Sequence, residues 1–154
     1  MSDYVLDLSG IRKTYRGGVE ALKGIDLQVP RGCIYGLLGP NGAGKSTMIK
    51  ILTTLIRKSG GDGTMLGKPI GDRRTLQKVG LLPEHAQFPD YLTGRQVIEF
   101  TAGLQDVAAS EVQKRTDTLL ELVDMTEAEG RKMKGYSKGM KQRIGIAQAL
   151  VNDP

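Results

Sequence analysis

The sequence predicts an α/β domain in which a buried strand, a glycine-rich loop and an amphipathic helix follow one another, with an antiparallel β edge before them and a helical insertion after. Three observations predict it. The uncharged apolar run at residues 33–38 leads straight into Gly39, and apolar positions at helical spacing follow from residue 46 to 56. Two further apolar stretches, at residues 4–8 and 25–29, precede the run and are separated by Gly17, Gly18, Pro30 and Gly32. From Thr93 onward, the 3.6-residue period dominates.

Residues 4–8 and 25–29 read as the two strands of the antiparallel edge. Residues 33–38 lack alternation, as expected of a strand buried on both faces of a parallel sheet. In the helix at 46–56, Met48, Ile49, Ile51, Leu52 and Leu55 recur at helical spacing, and Gly60, Gly61 and Gly63 end it. A short segment at 62–66, a polar helix at 73–78 and a strand at 79–82, stopped by Pro83, continue the α/β alternation. Thr93 and Gln96 are spaced as a capping box ahead of Val97, Phe100 and Leu104, and Ser110 and Gln113 repeat the device ahead of Val112, Leu119, Leu120 and Val123. A last helix spans 138–151 with Met140, Ile144, Ala147, Leu150 and Val151 inward. The expected division is an α/β core at 1–93 and 136–154 with a helical insertion at 94–135.

Composition excludes several classes. With 39% hydrophobic and 25% charged residues, the chain is neither a disordered tail nor a collagen-like repeat. The longest uncharged run is about a dozen residues and carries glycines, short of the ~20 that span a bilayer. Ser2, Asp3 and Tyr4 after Met1 do not form a secretory signal, and the single Cys33 points to a reducing compartment, the cytoplasm. The net charge of +5 is unevenly spread: residues 106–129 hold seven acids and two bases, residues 131–143 six bases and no acid. No helix-turn-helix, zinc or aromatic-basic pattern accompanies the basic run, so nucleic acid is not expected as a partner.

Gly39-Pro40-Asn41-Gly42-Ala43-Gly44-Lys45-Ser46-Thr47 matches G-x-x-x-x-G-K-[ST]. Its glycines let successive backbone N–H groups converge on phosphate oxygens, and the following helix offers its positive N-terminal end. Lys45 is expected to reach the β and γ phosphates and Ser46 to place its hydroxyl on Mg²⁺. The pattern, flanked by a strand and a helix, points to a nucleoside triphosphate bound with magnesium.

Ninety residues on, Tyr136-Ser137-Lys138-Gly139-Met140-Lys141-Gln142-Arg143 resembles the Leu-Ser-Gly-Gly-Gln signature of ABC-family ATPases, agreeing at Ser137, Gly139, Gln142 and Arg143 and departing at Tyr136, Lys138 and Met140. With the Walker A stretch above, the chain resembles the nucleotide-binding domain of that family, a P-loop NTPase (RecA-like) core, and most of all its drug, sodium and polysaccharide exporter branch. The resemblance implies ATP and Mg²⁺ as ligands and a head-to-tail dimer with a second such domain. There the signature residues Ser137, Lys138, Gly139, Met140 and Gln142 would act on the partner's ATP. It implies that Tyr15 stacks on adenine, and that Glu84, in Gly80-Leu81-Leu82-Pro83-Glu84, stands where the family usually has a glutamine beside Mg²⁺, with Gln87 the alternative. His85, the only histidine, reads as a loop residue.

The implied function is the ATP-binding subunit of a transporter, docked through its helical insertion on transmembrane permease subunits at the cytoplasmic face of the membrane. A soluble, non-transport ATPase of the same family and a nucleotide-binding module without hydrolysis are the alternatives. The family's next strand, ending in Asp-Glu, and its switch histidine are not matched, so the core sheet is expected to be incomplete and no catalytic residue is assigned. The 154-residue chain alone is expected to bind nucleotide in part and to show no useful ATP hydrolysis; steady phosphate release that disappears in Lys45→Ala would overturn that expectation.

Overall fold

The computed structural model describes residues 3–84 and 86–154, so His85 lies outside the described residues. The chain forms two compact units, divided between Leu76 and Gln77.

The first unit is built on a long hairpin. Strands β1 (Tyr4–Thr14) and β2 (Glu20–Pro30) pair antiparallel with Leu8 opposite Leu27 and Lys13 opposite Leu22. Both run beyond the predicted edge strands because Gly17 and Gly18 turn the chain at positive φ, letting the ladder extend to Thr14 and Glu20. β1 directs Leu6, Leu8 and Ile11 inward. The odd step from Leu8 to Ile11 reflects a bulge at left-handed Gly10, whose N–H is taken by the Asp26 carboxylate at 2.7 Å. Strands β3 (Gly60–Met65) and β4 (Lys68–Pro69) complete a sheet of order β2-β1-β3-β4, all antiparallel. Helix α1 (Lys45–Leu52) places Met48 and Ile51 in the same core as Leu6, Leu8, Ile11 and Leu22.

Four expectations for this part of the chain are corrected. Residues 33–38 form no strand: Ile34 and Leu38 are 104% and 92% exposed. A strand buried on both faces needs a hydrogen-bonding neighbour on each side, and no described strand pairs there. α1 stops at Leu52 rather than at 56, because the Thr53 hydroxyl turns back onto the Ile49 carbonyl at 2.8 Å and Thr54 takes a left-handed φ of 59°. Gly60, Gly61 and Gly63 do not close a helix. They belong to β3, where a Cβ on Gly61 would lie 2.2 Å from the Gly10 carbonyl oxygen, so the absence of side chains lets β3 approach β1. Finally, residues 79–82, at the start of the second unit, are irregular; Leu81's carbonyl accepts from the Gln148 side chain at 3.0 Å, and Asn152 holds Gln77, so side chains stand in for a ladder. The polar helix at 73–78 is present as a 3₁₀ turn, Arg73–Lys78.

The second unit is helical. Thr93 caps α2 (Gly94–Leu104) through the expected box: its hydroxyl accepts from the Gln96 N–H at 3.2 Å, and Gln96 Oε1 accepts from the Thr93 N–H at 2.9 Å. Helix α3 (Ala109–Leu122) begins at Ala108 with no side-chain cap, which corrects the second predicted box: Ser110 already lies inside the first turn. Helix α4 (Lys138–Leu150) is capped by Ser137. Their shared core holds Val97, Ile98, Leu119, Leu120, Ile144 and Ala147 above Met133 and Tyr136. Phe100 and Leu104, read on one face with Val97, are 62% and 69% exposed, and Leu150, expected inward, is also exposed; the α2 face that packs on α3 and α4 is that of Val97, Ile98 and Ala102.

Leu120 is fully buried and Leu122, two residues on, is mostly exposed. Leu120→Ala is expected to destabilise the unit by about 2–5 kcal/mol through the cavity it leaves, and Leu122→Ala by no more than about 0.5 kcal/mol. Urea denaturation of the two variants measures the contrast.

Candidate nucleotide site

In the first unit, residues 39–43 cross the surface between β2 and α1, and their side chains are exposed. Gly44 is the N-cap of α1, with φ 91° and ψ 0°. An added Cβ there would lie 2.6 Å from Leu22 Cδ2 and 2.7 Å from the Ala21 carbonyl oxygen, so only glycine lets the loop lie on β2 and turn at once into the helix. The Gly44 carbonyl accepts from Met48 N–H at 2.9 Å, starting the helical ladder, and Pro40 accepts from Ala43 N–H at 3.2 Å, closing a turn inside the loop. The first N–H groups of α1 have no carbonyl within the helix to serve. No acid occupies that first turn.

Lys45 folds its ammonium over the loop and donates to the Gly39 and Pro40 carbonyls at 2.5 and 2.8 Å. The cation is thereby held at the loop mouth. Ser46 is exposed beside it, and the Thr47 hydroxyl lies 3.4 Å from the Tyr15 Oη. Tyr15 directly follows β1, keeps its ring partly exposed and carries the Lys13 ammonium 5.1 Å from its centroid. The hairpin thus joins Tyr15 to the loop-helix junction, two predicted sites 32 residues apart in sequence.

In the second unit, Ser137 uses its side-chain oxygen to accept from Met140 N–H at 3.2 Å and its carbonyl to accept from Lys141 N–H at 3.0 Å, leaving its O–H free to donate elsewhere. Lys138, Gly139 and Gln142 are exposed and Met140 is half-buried. Lys138 in the first turn of α4, with Lys141 one turn on, is unfavourable for the helix unless an anion is drawn to it. Tyr136, a departure from the signature, is buried where an apolar residue is usual. Its hydroxyl donates to the Ala128 carbonyl at 2.7 Å, and burial pushes the phenol above its ordinary range, so it stays a neutral donor.

Pro83, Glu84, Lys138, Lys141 and Gln142 line one groove of about 530 Å³. Gln87 is exposed. The basic run is partly neutralised within the unit: Arg143 meets Asp124 at 2.9 Å, Lys141 lies 3.7 Å from Asp90, and Arg131 donates to the Gly135 carbonyl. Among the described residues no three His, Cys, Asp or Glu side chains cluster as a metal cage, and no helix is long and apolar enough to cross a membrane.

Two contributors were not visible in sequence. The packing of Leu22 and Ala21 under Gly44 comes from β2, and Arg95 meets Asp117 and Glu129, 22 and 34 residues away, separations that no periodic pattern marks. Gly42 and Gly44 both have positive φ, but nothing lies within 4 Å of a Cβ on Gly42. Gly44→Ala is therefore expected to cost about 1–3 kcal/mol from backbone strain alone, plus the clash with β2, and Gly42→Ala only the strain. Denaturant midpoints of the two variants test the order; equal midpoints would remove the β2 contact from the explanation.

A family model described as ABC transporter matches residues 22–154. The chain is 49% identical over 158 residues to an uncharacterized ABC transporter ATP-binding protein of a Nostoc species, an alignment covering 97% of this chain and 47% of that protein. It is 36% identical over 156 residues to a daunorubicin resistance ATP-binding protein of Streptomyces coeruleorubidus, covering all of this chain and 49% of the relative. The chain thus spans about half the length of the curated relatives it matches. Among solved structures, a protein of Clostridium perfringens that is part of an ABC transporter complex superposes with a TM-score of 0.84 at 28% identity, covering 99% of this chain and 63% of that one. By its sequence and its α/β P-loop fold, with antiparallel β edge and helical insertion, the chain belongs to the ABC transporter ATP-binding family.

Proposed function

We propose that the chain is the ATP-binding part of an ABC transporter subunit that couples ATP binding and hydrolysis to transport through separate membrane subunits. The observation that carries this reading is the loop at 39–47: a left-handed Gly44 that starts α1 on the surface, orphan N–H groups in its first turn, no acid there, and the Lys45 ammonium held at the mouth. Each feature favours a polyphosphate over a neutral ligand.

Gly39, Pro40, Asn41, Gly42, Ala43 and Gly44 would wrap the phosphates, Lys45 would leave its carbonyl partners for the β and γ phosphates, and Thr47 would flank the site. Magnesium fits as a chelate of the nucleotide, because the Ser46 hydroxyl is a hard oxygen donor and the phosphates complete its shell. The metal's chemistry is to neutralise charge on the transferred phosphoryl group. Tyr15, fixed beside Thr47 with its ring partly exposed, offers a stacking face to adenine. The unneutralised Lys138 and the free O–H of Ser137 at the start of α4 support a second anion contact, to the ATP of a head-to-tail partner. The core at 1–93 and 136–154 would hold nucleotide while the insertion at 94–135 meets transmembrane permease subunits at the cytoplasmic face.

Titration of Mg-ATP by fluorescence or calorimetry tests the reading. Lys45→Ala is expected to weaken binding about tenfold or more, the loss of charge-assisted hydrogen bonds, while Ser137→Ala leaves affinity within about twofold and weakens only ATP-driven dimerisation seen by light scattering. Equal affinity of Lys45→Ala and the parent protein would defeat the proposal.

A further inference from the structure

Two segments of the second unit, residues 90–95 and 128–136, are joined although most of α2 and all of α3 lie between them in sequence. Lys134 N–H donates to the Asp90 carbonyl at 3.2 Å, Met133 N–H to Leu92 at 2.8 Å, and Arg95 N–H to Glu129 at 3.2 Å; Thr93 and Lys132 form an isolated bridge. Met133, fully buried, pins this strap to the core. One residue beyond it stands Ser137, the cap of α4.

The Arg95 guanidinium holds the strap from the side. Its Nη2 lies 2.6 Å from Asp117 Oδ1 and 2.8 Å from Glu129 Oε2, and its Nη1 lies 3.6 Å from Glu99 Oε1. Both backbone and side chain of Arg95 thus grip Glu129. The Arg95 side chain is 28% exposed and that of Glu129 30%, so this pair is shielded better than an ordinary surface pair, and hydrogen bonds to Glu129 and then Asp117 raise the Arg95 pKa above the usual arginine range. Three carboxylates from α2, α3 and the strap converge on this one cation. Without it they repel one another, and Glu129, on the irregular segment, is the one with the least to hold it in place.

We propose that Arg95 is a positioning residue for the turn that begins α4, fixing residues 129–136 against 90–95 and thereby setting where Ser137 and Gly139 point. The catalytic consequence rests on the reading above, in which those two residues meet a partner's nucleotide. A lysine at 95 would keep the charge but not the planar fork that reaches acids on three elements, so Arg95→Lys is expected to restore the turn only in part.

Amide hydrogen exchange of the purified protein, with Arg95→Ala, Arg95→Lys and Glu129→Gln, tests the proposal alongside Mg-ATP titration and ATP-driven dimerisation. Arg95→Ala is expected to speed exchange at Met140, Lys141 and the strap amides about tenfold, leave peptides covering 39–47 unchanged, keep nucleotide affinity within about twofold and weaken dimerisation about tenfold. Arg95→Lys and Glu129→Gln should fall between this variant and the parent. Exchange at Met140 and Lys141 within twofold of the parent overturns the proposal, as does equal acceleration throughout residues 77–154 in all three variants, which marks a general loss of fold. Should the parent protein fail to bind nucleotide, the reading of the site fails, while the exchange rates still decide the role of Arg95.

Discussion

The candidate site depends on the contact between Gly44 and the backbone of β2. A loop offers its N–H groups to an anion only if it turns sharply into a helix whose first turn is exposed, and that turn needs a left-handed residue. Here the left-handed residue is also pressed against Ala21 and Leu22, so the hairpin sets where α1 begins. Lys45, Ser46 and Thr47 inherit their places from that single junction. Tyr15, just past the end of β1, reaches Thr47 because the same hairpin carries it there.

The second unit solves a different problem, the presentation of a helix N-terminus carried on irregular chain. Ser137 closes the end of α4 with its own side chain, Tyr136 and Met133 anchor the approach to the core, and Arg95 ties that approach to the start of α2. Tyr136 shows how a departure from a motif can be absorbed: the ring fills the apolar position, and its hydroxyl, kept neutral by burial, finds the Ala128 carbonyl. The lysines at 138 and 141 are left with little local use, Lys141 pairing only distantly with Asp90.

The sequence was read correctly where local chemistry decides. The Thr93 capping box and the start of α4 at Lys138 each follow from residues within a few positions of one another, and the antiparallel edge from two apolar stretches set apart by glycine and proline. The failures share one cause. Residues 33–38 have the composition of a buried strand, yet a strand exists only when its N–H and C=O groups find partners, and those partners are supplied by other parts of the fold. Ser110 and Gln113 have the spacing of a cap, but α3 starts two residues earlier, at Ala108, with its N-cap unassisted. Phe100 and Leu104 lie on an apolar stripe of α2 that the packing of α3 and α4 does not use.

By itself, then, the sequence determined the G-x-x-x-x-G-K-[ST] loop motif, the helical character of the region after Thr93 and the family to which both belong, because each is encoded in short spacings that backbone geometry reads directly. Only the tertiary structure decided which apolar runs become strands, which face of α2 is buried, that Tyr15 meets Thr47, and that Arg95 gathers Asp117, Glu129 and Glu99 around the approach to α4. Those outcomes depend on residues tens of positions apart. Pairing of backbone edges, burial of one helix face and convergence of charges are properties of contacts, and a contact between distant residues leaves no period in the chain.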